Sequence, residues 1–303
     1  MARSTRSKVV IGSLQFPAVE LGGCSMRAFG IGFGLAGLFF LAAMSLFGQN
    51  APPDNLLANI HDDKAKVIDL TYAINDKLVP WPGDKRFFEA KDNATVAKDG
   101  IFTRSFWMLE HYGTHLDAPI HFPPGTIPVD KIPVKQFFGP AIVIDVQNES
   151  AKDADYLVDA ARVEAWEKRH GKIPPGAIVL LRTGWSSRWP DAKRYRNQDA
   201  LGKMHFPGFS AEAVKVLLDR KVSGLGCDTL SVDYGASSDY PVHHLGLGAG
   251  LYNLENLADL SKLPETGAFL VVAPIKLEGG SGGPVRVFAL LSNATTSASG
   301  AGH

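Results

Sequence analysis

The sequence predicts a β-rich α/β fold in a single domain. Three observations carry that expectation. Runs of β-branched residues punctuated by Gly or Pro recur along residues 67–292, two segments have helical patterning with caps, and no Pro/Ser-rich linker divides the chain after residue 66. Strands are expected at Val67 to Ile74, Phe102 to Glu110, Ala141 to Val146, Ala177 to Thr183, Ser223 to Val232, Ala268 to Leu277 and Val285 to Ser292. The first helix is expected around Asp159 to Arg169, ending at Gly171. The second starts from Ser210 as N-cap, carries Glu212 in its first turn, and closes with Arg220 and Lys221. The run EGGSGGP before the last strand reads as a long glycine turn. It is not a phosphate loop, because no helix with Lys-Ser/Thr follows it.

The ends of the chain read differently. Ala28 to Phe47 is uncharged and mostly apolar, lies behind Arg3, Arg6, Lys8 and Arg27, and is long enough at 1.5 Å per residue to span a bilayer core of about 30 Å. Residues 1–50 are therefore expected to be an export signal or an N-terminal membrane anchor, 51–66 a polar spacer, and 293–303 a disordered tail of small polar residues. The positive charges on the N-terminal side orient the domain away from the cytoplasm, in the periplasm or outside the cell. Of the two cysteines, Cys24 falls in the leader, so no disulfide is expected and Cys227 reads as a small buried residue. Lys+Arg and Asp+Glu are both 31, so no basic excess points to nucleic acid, and a small molecule is the expected partner.

The chemistry concentrates in HYGTHLDAPIHF, His111 to Phe122. In an extended chain His111, His115, Asp117 and His121 share one parity, with Gly113 leaving the intervening position empty. A straight strand would hold His111 and Asp117 roughly 20 Å apart, whereas ligands of one ion sit about 2 Å from it, so the segment must curl. Gly113 and Pro119 are the residues that permit this, Gly113 by its backbone freedom and Pro119 by keeping Ala118 out of the helical region. A helical zinc-protease reading fails, because His-Tyr-Gly-Thr-His lacks the glutamate base.

These residues resemble the defining motif of the metal-dependent cyclase-like hydrolases, which include bacterial arylformamidases and isatin hydrolases. The likeness extends through LVPWPGD (Leu78 to Asp84), HFPGFS (His205 to Ser210), GLGCDTLSVD (Gly224 to Asp233), PVHHLGLGAGLYNLENL (Pro241 to Leu257) and IKLEGGSGGPVRVFALL (Ile275 to Leu291). It implies a swivelling β/β/α fold with a barrel-like sheet, outer helices, and active sites near the interface of a homodimer. It further implies that His111, His115 and Asp117 bind the metal, that His121 gives and takes the proton, that His243 and Glu255 complete the site, and that Trp81 packs on an aromatic substrate. By the twelve-residue spacing to Glu255, His243 is the match and His244 its neighbour. His205 either lines the substrate pocket or is a loop histidine without a role.

Mixed nitrogen and carboxylate ligation independently suits a catalytic divalent metal, with zinc ahead of manganese, while the resemblance implies one or two ions. Such an ion activates water and polarises a carbonyl, and an unligated histidine such as His121 can move the proton to a leaving nitrogen. The leading expectation is hydrolysis of a C–N amide bond of the N-formyl aryl amine type, N-formylkynurenine being the example. Ring opening of a cyclic amide such as isatin, lactone hydrolysis, and metal or solute binding without turnover are the alternatives. The segment Asp155 to Ser210 makes the chain longer than a compact formamidase, which favours a different or larger substrate.

Overall fold

The computed structural model describes residues 60–61 and 65–292. The expected leader, most of the spacer and the tail lie outside the described residues. No helix among the described residues is long and apolar enough to cross a membrane.

The strands, in chain order, are β1 (Ala65–Asp69), β2 (Phe88–Ala94), β3 (Thr103–Met108), β4 (His115–Asp117), β5 (Phe138–Asp145), β6 (Leu157–Val158), β7 (Ile178–Arg182), β8 (Gly208–Phe209), β9 (Gly224–Cys227), β10 (Tyr252–Glu255), β11 (Ala268–Pro274) and β12 (Gly282–Ser292). The main sheet runs β1-β12-β11-β5-β7-β9-β10-β4, and β4 pairs back to β12. That last pairing closes a barrel. The neighbours β5, β7, β9 and β10 are parallel. Each step between them crosses over through a helix, in turn Ala160–His170, Ala211–Asp219 and Pro241–Gly248. The remaining pairings of the sheet are antiparallel.

Burial on both faces explains why β5 and β7 are apolar through Ala141–Ile144 and Ile178–Leu181. Ala141 and Val143 of β5, with Ile178 and Leu180 of β7, face the barrel interior, while Ile142, Ile144, Val179 and Leu181 face the helices. The helix Ala160–His170 buries Val163 and Trp166 against that outer face, and Trp166 Nε1 donates to Val143 O at 3.0 Å. Its N-cap is Asp159, whose carboxylate accepts from Arg162 N, and Gly171 ends it at φ 90°. Ser210 caps the second helix by accepting from Ala213 N. Cys227 is buried and free.

Three sequence expectations change. The strand predicted over Ser223 to Val232 stops at Cys227, because Asp228 turns inward to accept from Thr183 N, Thr183 Oγ1 and Gly184 N. The helix Pro241–Gly248 is absent from the prediction, since its glycines give it little intrinsic propensity; its order comes from Asp233, whose two carboxylate oxygens accept from Val242 N and His243 N. The glycine turn EGGSGGP is shorter than read. Gly282, Gly283 and Pro284 already belong to β12 and pair with Asp117, Leu116 and His115. A Cβ on Gly282 would sit 2.6 Å from His111 Cε1, so this strand comes against the motif only because a side chain is missing there.

Outside the barrel, β2 and β3 form a separate antiparallel hairpin, and β6 and β8 a small parallel pair.

Candidate metal centre and active site

Four local devices curl the motif. Gly113 takes φ 71°, a conformation unfavourable for other residues, and the three residues of β4 are held between β10 and β12. Ala118 is extended at φ −80°, ψ 157° before Pro119, and Pro119–His121 then makes one 3-10 turn. The turn brings His121 back over the start of the motif, where its ring stacks on His111 with centroids 3.9 Å apart. The curl that the spacing demanded is present.

The neighbouring strand β10 delivers Glu255, directly across from His115, and the helix Pro241–Gly248 delivers His243. Asp117 lies at the centre. Its Oδ1 is 2.7 Å from His111 Nδ1 and 3.2 Å from His115 Nε2, while its Oδ2 is 3.3 Å from His243 Nε2. Glu255 closes the group, with Oε2 3.5 Å from His115 Nε2 and Oε1 3.3 Å from His243 Nε2. His115, Asp117, His243 and Glu255 are all buried. His244, one residue on, is exposed.

The outward nitrogens of these histidines have partners of their own. His115 Nδ1 contacts Gly113 O at 3.0 Å and His243 Nδ1 contacts Asp233 Oδ2 at 2.6 Å. With those nitrogens engaged, the inward ones converge on the two carboxylates. Asp233, which also caps the helix bearing His243, was not singled out from sequence as a site residue. The available signal was an aspartate at the end of an apolar run, ten residues before a histidine.

The electrostatics of the cluster fit a cation. Burial alone would favour neutral His115, but Asp117 and Glu255 outweigh it and push its pKa up to about 9. Burial likewise opposes the charge on Asp117, yet the surrounding histidines hold its carboxyl well below the usual range. His243 is raised against its burial by Asp117, Asp233 and Glu255. Asp117 Oδ2 is buried, and the donor near it, His243 Nε2 at 3.3 Å, is too poorly aligned to count as a full hydrogen bond. A buried carboxylate oxygen without a full hydrogen bond is costly unless a cation meets it. Among the described residues, two groups of side chains have ligand atoms close enough to hold an ion: His111, His115 and Asp117; and Asp117, His121 and His243. Asp117 is common to both. The donor set of imidazoles and carboxylates, without thiolate, matches a divalent metal with open positions.

His121 differs from its neighbours. Burial dominates there and pushes its pKa down to about 4, with Asp117 opposing only in part, so the ring is neutral at neutral pH and one nitrogen can accept a proton.

The cluster lines a cavity of about 340 Å³, together with Val79, Trp81, Phe122, Leu230 and Tyr240. Trp81 thus lines the same cavity as the cluster. His205 is not among the lining residues. Its Nδ1 pairs with Asp155 Oδ2 at 2.7 Å and its Nε2 lies 3.6 Å from Asp199, so the pocket role considered for it is replaced by an ion pair of the 155–210 insertion.

With the closed barrel and this centre in place, comparison with known proteins is decisive. The profile of the Cyclase family matches residues 68–234. This chain belongs to that family. It is 38% identical over 206 residues to an isatin hydrolase of Roseibium aggregatum, covering 65% of this chain and 78% of the relative. It is 30% identical over 225 residues to a kynurenine formamidase of Salinibacter ruber, covering 73% and 95% respectively. Among solved structures it is similar to an isatin hydrolase bound to the product analogue thioisatinate, with TM-score 0.74 and 31% identity over 83% of this chain and 98% of that one. The β/β/α fold expected from the motifs is the fold observed.

Proposed function

We propose that this protein hydrolyses an aromatic amide, with ring opening of a cyclic aryl amide of the isatin type as its first substrate class. The observation that carries the reading is the buried His/Asp/Glu cluster around Asp117, set in the wall of an aromatic-lined cavity. His111, His115, Asp117, His243 and Glu255 would hold the metal, one or two ions, with zinc ahead of manganese from the nitrogen and carboxylate donors. When bound, the metal lowers the pKa of water towards about 7 and polarises the amide carbonyl. The remaining steps belong to the chain. Trp81, Phe122 and Tyr240 pack on the flat aromatic ring and bring the carbonyl to the cluster. His121, neutral and beside the cluster, takes the proton from the attacking water as the hydroxyl joins the acyl carbon. It returns that proton to the nitrogen as the C–N bond breaks.

Arylformamidase activity is the second reading, supported by the kynurenine formamidase relatives. Two points support the cyclic amide as the first reading. The identity to isatin hydrolase is higher, and among the described residues no Lys or Arg lines the cavity to pair with the carboxylate of an amino-acid side chain such as that of N-formylkynurenine. The test is a panel of isatin, N-formylkynurenine and aryl lactones with the protein loaded with Zn²⁺ or Mn²⁺. Turnover of isatin above the others is expected. Preference for N-formylkynurenine would reinstate the second reading, and preference for lactones would overturn both. We also propose that residues 1–50 carry the domain out of the cytoplasm. Protease added outside the inner membrane should then reach it, and a protected, cytosolic domain would overturn that proposal.

A further inference from the structure

His111 is the one proposed ligand whose outward nitrogen meets neither a backbone carbonyl nor a carboxylate. Its Nε2 lies 2.9 Å from Ser281 Oγ, in the turn leading into β12. The direction of that hydrogen bond is fixed by what lies behind the serine. Glu110, the residue immediately before His111, presents Oε2 to three donors: Ser281 N at 2.8 Å, Gly282 N at 3.2 Å and Ser281 Oγ at 2.7 Å. Backbone N–H groups can only donate, so this oxygen is an acceptor, and the single hydroxyl proton of Ser281 points to it. Ser281 Oγ can then only accept from His111, which places the imidazole proton on Nε2. The other nitrogen, Nδ1, is left as a lone pair 2.7 Å from Asp117 Oδ1. Two lone pairs at that distance repel unless a proton or a cation lies between them.

We propose that Ser281 and Glu110 are positioning residues for the metal: a carboxylate–hydroxyl–imidazole relay that fixes the tautomer and ring orientation of His111 so that Nδ1 faces the ion. The inference rests on the metal site of the proposed function. It reaches residues that neither the motif nor its spacing contains. Ser281 stands in the glycine-rich EGGSGGP run, and the same run supplies Gly282, whose missing side chain leaves room for the His111 ring. The segment thus serves the ligand twice, by space and by a hydrogen bond. Outer partners of metal-bound histidines typically contribute about 10- to 100-fold in metal affinity.

The experiment measures Zn²⁺ and Mn²⁺ binding to the demetallated full chain by competition with a chelator, alongside the unfolding midpoint of the metal-free protein. Ser281→Ala should weaken binding by about 10- to 100-fold without moving the metal-free midpoint, and Ser281→Thr, which keeps the hydroxyl, should bind as the wild type does. In Glu110→Gln the amide can donate back to Ser281 and turn the hydroxyl proton toward His111, so binding should weaken there too. The double variant should be no weaker than the weaker single, because both act through one nitrogen. Unchanged affinity in Ser281→Ala, a loss matched by a lower metal-free midpoint, a threonine variant as weak as the alanine, or additive losses in the double variant would each overturn the relay. A wild-type chain that binds neither ion would bring down the proposed function itself, a result distinct from wild-type binding that Ser281→Ala leaves intact.

Discussion

The two halves of the barrel wall are built to different rules. In β5 and β7 the runs Ala141–Ile144 and Ile178–Leu181 bury apolar side chains, alternately toward the barrel interior and toward the helices. In β4 and β10, the strands opposite, positions of the same pleat carry His115, Asp117, Asn253 and Glu255, all buried. The first half gains free energy from the apolar side chains it buries. The second buries charge and amide groups, including Asn253, whose side-chain nitrogen and oxygen are both without partners, and it is held by its neighbours. The lesson is that the closed sheet lets one arc provide stability while another, only three or four residues long per strand, is given to chemistry.

The comparison breaks most completely at its centre. Asp117→Ala removes the carboxylate common to both ligand groups, so bound metal and turnover should disappear together. Metal content by elemental analysis and activity on the same preparation provide the check. Full metal occupancy with normal turnover would show that the polar arc is not a metal centre. His243→Ala should follow the same course, whereas His244→Ala, at an exposed position, should leave both intact.

His121→Asn tests a finer division inside the polar arc. The proposed proton carrier should lose about 10²- to 10⁴-fold in kcat while metal content stays at the wild-type level. Because its ring nitrogen can also share an ion with Asp117 and His243, loss of metal in this variant would reassign His121 as a ligand.

In the apolar arc the expected effect is on stability. Leu180, fully buried between β5 and β9, leaves a cavity when truncated, and Leu180→Ala should cost about 2–5 kcal/mol in denaturant unfolding without changing metal affinity. A large change in metal affinity would mean that the two arcs are not separable.

How much of this was legible in the sequence follows the same division. The apolar arc announces itself, because β5 and β7 are continuous β-branched and leucine runs. The helices at 160–170 and 211–219 carry their own caps at Asp159 and Ser210. The polar arc does not. Strands β4 and β10 are too short and too polar to show a period, and the helix Pro241–Gly248 owes its order to Asp233, which tertiary folding supplies. The motif His111 to His121 was readable because the ligands of its early half are close in sequence, and the family resemblance supplied His243, Glu255 and Trp81. Spacing alone reveals neither Ser281 nor Asp233, whose roles depend on contacts between segments remote in the chain. It also left His205 open, and its neighbours Asp155 and Asp199 decided the matter.

The smallest effect expected lies outside the barrel, at an acidic side chain of the helical layer. Glu167 on the helix Ala160–His170 accepts from Arg220 Nε at 2.7 Å and from Lys172 Nζ at 2.8 Å, and its Oε1 also accepts from Ile173 N. Burial alone would raise its pKa, but these partners outweigh it and bring the pKa down from 4.5 to about 2. A carboxyl group depressed in the folded state contributes stability that is present above its unfolded value and lost as pH falls toward the folded one. Unfolding free energy should therefore decline between about pH 4.5 and pH 2 more steeply in the wild type than in Glu167→Gln, which has no charge to lose at this position. The two curves should lie furthest apart near neutral pH and converge in acid. Parallel curves over that range would show that the Arg220 and Lys172 contacts add nothing to the stability of the layer that covers the apolar arc.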